Sequence, residues 1–182
     1  MGTTFTAGES HPRALPRPMR LVSALNARLS RWAMYLACLC LAGLLSVVVY
    51  GVVLRYVFND APAYVEQVAL LLVICVAMFG ASAGVRDAGH IGMDSLVRRL
   101  SPRLQFGCKV AVELLAVAFA ASLFAGGAEM ALSTRNSTIP TLGISEAWRY
   151  LPVMSAGVLI TLFAIEHLIA QFTGSKVVSS WH

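Results

Sequence analysis

The amino-acid sequence predicts an all-α integral membrane protein with four transmembrane helices, and three observations predict it. Apolar stretches of bilayer length recur four times, almost every charge falls between them, and no polar segment is long enough to fold by itself. Hydrophobic residues make up 58% of the 182 and charged residues 13%, with a mean hydropathy of +0.73. A soluble domain carries about 25% charged residues. The longest polar segments, 1–31 and 86–109, are too short to bury a core.

Span one is the uncharged run 32–54, 23 residues, and span two is 67–85, 19 residues. A helix rises about 1.5 Å per residue and needs about 20 apolar residues to cross about 30 Å of hydrocarbon, so each run is a single crossing. Span three, 110–134, is interrupted only by Glu113 and Glu129 near its ends, and span four, 150–170, is uncharged until Glu166 and His167. Basic residues before span one imitate a secretory leader, but a leader's apolar core usually has about 7–15 residues. Span one is therefore expected to be an uncleaved anchor.

Two further segments have helical periodicity and are expected to lie along the membrane surface. Before span one, Leu21, Val22, Leu25, Leu29 and Trp32 share an arc, with Arg20, Ser23, Asn26 and Arg31 elsewhere around it. Between spans two and three, Met93, Leu96, Val97 and Leu100 recur at helical spacing, Asp94, Arg98 and Arg99 face away, and Pro102 ends the helix. Residues 1–18, with Pro12, Pro16 and Pro18 and no periodicity, are expected to be a disordered basic N-terminus. A single transmembrane domain over 19–172 and a short cytoplasmic tail over 173–182 complete the expected organisation.

Charge sets the orientation, because cytoplasmic flanks hold the excess of Lys and Arg. Eleven fall in the N-terminal segment, the middle loop and the tail, against three (Arg55, Arg135 and Arg149) on the other side. Both termini and the middle loop are thus expected in the cytoplasm, against anionic lipid. Without a basic stripe interleaved with aromatics, the net charge of +5 points to no nucleic acid.

Catalysis and cofactors find little support. A carboxylate at mid-membrane is usually functional, but none of these acids is centred in a span. Glu113 lies one turn inside span three, level with Glu166 and His167, and Glu129 lies within reach of Arg135 or Arg149. All are expected to be interfacial ion pairs and snorkelling groups. Cys38 and Cys40 point about 200° apart on a helix and cannot clasp one metal, and Cys75 and Cys108 are expected to have no nearby partner. A bis-His haem needs facing helices, and His90 lies outside the spans. No phosphate loop, dinucleotide fingerprint or nucleophile elbow is present, so no enzyme and no cofactor are predicted. Small residues that let helices approach recur at Gly80 and Gly84 in span two and at Ala118, Ser122 and Gly126 in span three.

Three stretches go further: RYVFN at 55–59, followed by Pro62, Tyr64 and Glu66; GASAGVRDAGHIGMDSLVRRLSPR at 80–103; and TLGISEAWRYLPV at 141–153. Together they resemble the small membrane subunit of a tripartite ATP-independent periplasmic (TRAP) transporter, over about residues 31–170. The most specific parts are Arg55, Tyr56, Phe58 and Asn59; Arg86, His90, Ile91 and Asp94; and Leu142, Gly143 and Pro152. That family usually has a Trp two residues before a Glu pair, whereas this chain has Tyr64 and then Glu66 with Gln67.

The resemblance implies a bacterial inner-membrane protein with a large membrane subunit and a periplasmic receptor as partners. Uptake would be driven by an ion gradient, generally sodium, and the commonest solutes are organic acids such as C4-dicarboxylates. In such a machine the small subunit is expected to be a static scaffold, with Arg55, Asn59, Tyr64, Glu66, Gly80, Gly84, Arg86, His90, Asp94, Ser122 and Gly126 as interface or structural residues. Two other classes stay open on the residues alone: an electron-transfer anchor, which needs paired in-membrane histidines, and a self-sufficient cation exporter, which needs a centred carboxylate.

Overall fold

The computed structural model describes residues 17–88, 101–141 and 143–173. Four long helices fill them: α1 (Arg17–Val57), α2 (Ala63–Ala88), α3 (Pro102–Ser133) and α4 (Leu151–Thr173), the last preceded by a 3-10 turn (Glu146–Tyr150). All four are long and apolar enough to cross a membrane. The segment 89–100, with the expected surface helix, His90 and Asp94, lies outside the described residues, as do 1–16, Leu142 and 174–182.

α1 is one unbroken helix of 41 residues, about 60 Å at 1.5 Å per residue. The amphipathic segment predicted before span one is helical and continues straight into it. Within α1 no Gly falls before position 43 and Pro18 lies in the first turn, where its missing N–H costs nothing, so no breaker separates the two. The helix ends at Val57, and Asn59 just beyond it takes φ +50. The Asp60 N–H donates to the Leu54 carbonyl, six residues back, at 3.1 Å, which occupies a carbonyl of the last turn. Asn tolerates that conformation better than other side-chain-bearing residues.

Pro102 opens α3, so this span begins two turns before the apolar run at 110. Between α3 and α4 the chain is stitched rather than loose. The Ile139 N–H donates to the Ile144 carbonyl and the Glu146 N–H to the Ser137 carbonyl, both at 2.8 Å. Gly143 turns the segment with φ +67, where a side chain would be strained.

α1 packs on α2 and α3 on α4, while α2 and α4 meet at the centre. Helices in lipid associate by close packing, since no hydrophobic gain draws one apolar helix to another. The buried positions accordingly hold mostly small side chains: Ala33 and Ala37 on α1, Ala83 on α2, Ala120 on α3, and Ala156 and Ala164 with the larger Phe163 on α4. Gly157 makes the tightest approach to another helix's backbone, where a Cβ would lie 2.9 Å from the Ala120 carbonyl oxygen. The outer faces of α1 and α3 are large and apolar, as membrane-facing surfaces should be, with Leu39, Leu45, Leu115 and Leu132 all exposed.

Candidate functional site

Polar side chains gather at the two poles of the bundle. On α2 the levels of Glu66 and Arg86 are 20 residues apart, about 30 Å, which is the thickness of the hydrocarbon core.

The terminal pole, where the chain enters α1 and leaves α4, holds a buried charge cluster. Arg86 was expected to begin the polar loop after span two. Instead α2 continues to Ala88 and the Arg86 side chain turns inward, with 0% of its surface exposed against 7% for Glu166. Arg86 Nε donates to Glu166 Oε2 at 3.4 Å and Nη2 to Oε1 at 3.5 Å. Nη2 also donates to the Ser23 carbonyl at 3.3 Å, and Nη1 lies 3.6 Å from Asp87 Oδ1. Asn26 Nδ2 donates to Glu166 Oε2 at 2.8 Å, and Ser30 Oγ to Asp87 Oδ2 at 3.2 Å.

His167 Nε2 lies 3.1 Å from the Arg86 carbonyl oxygen, which can only accept, so this nitrogen carries the proton. Glu113 on α3 is also buried, in the half of that helix nearer this pole. The cluster ties α1, α2 and α4 together. A buried arginine is tolerable only with a carboxylate and further acceptors around it, and removing one partner of such a pair costs about 3–5 kcal/mol.

The loop pole is built differently. Arg55 Nη2 and Glu66 Oε1 meet at 3.3 Å across the α1–α2 hairpin, with side chains 58% and 73% exposed. They border an open cleft of about 300 Å³ that includes Gly51, Tyr56 and Val65. The Tyr64 hydroxyl lies 3.2 Å from that of Tyr50, one helix away. Arg149 Nη2 donates to Gln67 Oε1 at 3.0 Å, and Nη1 to Glu146 Oε1 at 3.3 Å. Arg149 is therefore held by these two residues and not by Glu129, which is exposed.

Among the described residues the glycines and the serine of the expected small-residue rows make no close helix contact. A Cβ at Gly80, Gly84 or Gly126 would meet nothing within 4 Å. Ser122 is exposed and its hydroxyl donates to the Phe119 carbonyl of its own helix at 2.7 Å. The close approaches occur at Gly51, Gly127 and Gly157 instead. Cys75 does have a neighbour, Cys40 on α1. Among the described residues no group of three or more His, Cys, Asp or Glu could hold a metal ion.

Asn26, Asp87, Glu166, His167, Gln67 and Arg149 were not among the expected site residues. The signal for Glu166 was depth, since it lies in the last two turns of its helix as Arg86 does in α2. Asn26 gave none, because one polar residue on a helix flank looks solvated.

The family model of the tripartite ATP-independent periplasmic transporters, DctQ component, matches residues 44–174. Two Haemophilus influenzae proteins named as TRAP transporter small permease proteins are each 26% identical to this chain. One aligns over 76% of this chain and 86% of its own length, the other over 78% and 86%. The sialic acid TRAP transporter small permease protein SiaQ of Vibrio cholerae is 20% identical, over 70% of this chain and 74% of its own length.

Proposed function

This chain belongs to the DctQ family, the small membrane subunits of TRAP transporters, and from that premise we propose that it is the static brace of a three-part uptake system. The large membrane subunit would carry the solute path, and a periplasmic receptor would deliver the solute. The observation that supports a brace is the fate of the buried polar groups. Arg86, Glu166, Asn26, Ser30, Asp87 and His167 bond across α1, α2 and α4, which fastens these helices together at one end of the bundle.

The terminal pole would lie on the cytoplasmic side and the loop pole outside, a placement supported by the bias of eleven to three in Lys and Arg. The basic inner flanks would rest on anionic lipid. Gly80, Gly84, Ser122 and Gly126, open within this chain, would be free to meet the large subunit. Energy would come from an ion gradient, with sodium the expected ion. The solute class is an organic acid. The named solute of the Vibrio cholerae relative, sialic acid, is a carboxylate but no C4-dicarboxylate, and the solute choice would belong to the other two components.

The test is reconstitution. Purified alone and placed in liposomes under a sodium gradient, the chain should move neither sialic acid nor a C4-dicarboxylate, and uptake by the chain alone would overturn the brace. Orientation is checked with reporter fusions. A phosphatase active only outside the cytoplasm should be silent after Ser101 and active after Thr138.

A further inference from the structure

We infer that Arg149 and Gln67 form a latch that positions the loop between α3 and α4 against the α1–α2 hairpin, so that a receptor meets a preformed surface. The receptor-facing part rests on the orientation proposed above.

The loop is internally one piece. Beyond the two 2.8 Å backbone bonds already described, Ser145 Oγ donates to the Arg135 carbonyl at 2.9 Å and accepts from the Ala147 N–H at 3.3 Å. Ile139 is buried beneath it. A body stitched in this way moves as a unit, so its position depends on what attaches it. Glu146, one 3-10 turn before Arg149, orients the guanidinium through Nη1, and Nη2 crosses to Gln67 on α2 at 3.0 Å. Gln67 and Glu66 are adjacent on a helix and therefore point about 100° apart. Glu66 faces Arg55 on α1 and Gln67 faces the loop, so the two positions serve different partners.

The latch is one bond short. Arg149 Nε is buried and has no hydrogen-bond partner. The Gln67 amide offers one acceptor oxygen, whereas a carboxylate offers two and can take two guanidinium N–H groups side by side. Gln67→Glu should therefore complete the latch, and Gln67→Leu should release it.

The experiment uses the full chain assembled in nanodiscs with the large subunit of the same bacterium. Hydrogen exchange is followed at the Ile139, Gly143 and Glu146 amides, and binding of the purified receptor is titrated. Gln67→Leu should speed exchange at these amides about tenfold, the scale of a lost hydrogen bond to a charged group. It should also weaken receptor binding without lowering the number of sites, and assembly should stay normal. Gln67→Glu should match or exceed wild type in both. Wild-type behaviour in Gln67→Leu, or a Gln67→Glu variant that behaves like Gln67→Leu, would overturn the latch. A wild-type complex that binds no receptor would overturn the receptor-facing reading, and the latch would then stand or fall on exchange alone.

Discussion

The two poles use the same pair of residue types at nearly the same distance, and only one of them should matter much for stability. At the terminal pole Arg86 and Glu166 approach to 3.4 Å with 0% and 7% of their side chains exposed. At the loop pole Arg55 and Glu66 approach to 3.3 Å with 58% and 73% exposed. Water screens the second pair and stabilises either charge when its partner is lost, so exposed pairs contribute about 0–1 kcal/mol. The first pair has no such alternative. Burial, and not distance, decides what an ion pair is worth.

The sharpest way to break this comparison is Glu166→Ala. It leaves Arg86 buried beside Asp87 with its principal acceptors gone and also removes the acceptor of Asn26. A loss of about 3–5 kcal/mol is expected, read as failure of the chain to accumulate in the membrane or to co-purify with the large subunit. Replacing both partners, Arg86→Met with Glu166→Leu, should recover most of the level, because the cost lies in the orphaned charge. A Glu166→Ala protein that melts like wild type would remove the distinction between the poles.

Next in size is Gly157→Val. Its Cβ would lie 2.9 Å from a backbone oxygen and 3.0 Å from the Phe124 nitrogen, neither of which can swing aside. About 1–3 kcal/mol of destabilisation is expected in thermal melts of the isolated chain. Gly84→Val is the control, since it meets nothing within 4 Å and should leave those melts unchanged. If Gly84→Val instead releases the large subunit from the purified complex, the open row is the face that meets it.

The smallest effect belongs to the exposed pair. Arg55→Glu and Glu66→Arg should each change complex recovery by about 0–1 kcal/mol, and the double reversal should restore what is lost. The effect should fade as salt rises. Additive defects that ignore salt would mean that each residue contacts a partner instead of the other.

Much of the fold could be read from the sequence. Hydropathy located all four spans, because a bilayer imposes one length and one polarity on every crossing. The short turn with Asn59, Asp60 and Pro62 brings the two helix ends to similar depth, and with them Arg55 and Glu66, which the sequence offered as interface or structural residues. The buried cluster was not legible, since its members are separated by up to 140 positions and their meeting depends on which helices are neighbours. Arg86 misled for a related reason, as a charge at the edge of an apolar run looks like the start of a loop. The small-residue rows did not locate the close approaches within the chain, and the partners of Gly157 and Gly51 emerged only with the packing.

The central claim is that this subunit holds still while solute crosses its partner, and a lock within it tests that directly. A Cβ at Gly51 lies 3.9 Å from that of Val65, within the span a disulfide needs. Gly51→Cys with Val65→Cys, in a background without the four native cysteines, would fix α1 to α2 in the assembled transporter. Uptake of the solute its receptor binds is then measured oxidised and again after reduction. The account predicts the same rate in both states. Uptake that stops when the bond forms and returns on reduction would contradict it, and would make the small subunit a moving part.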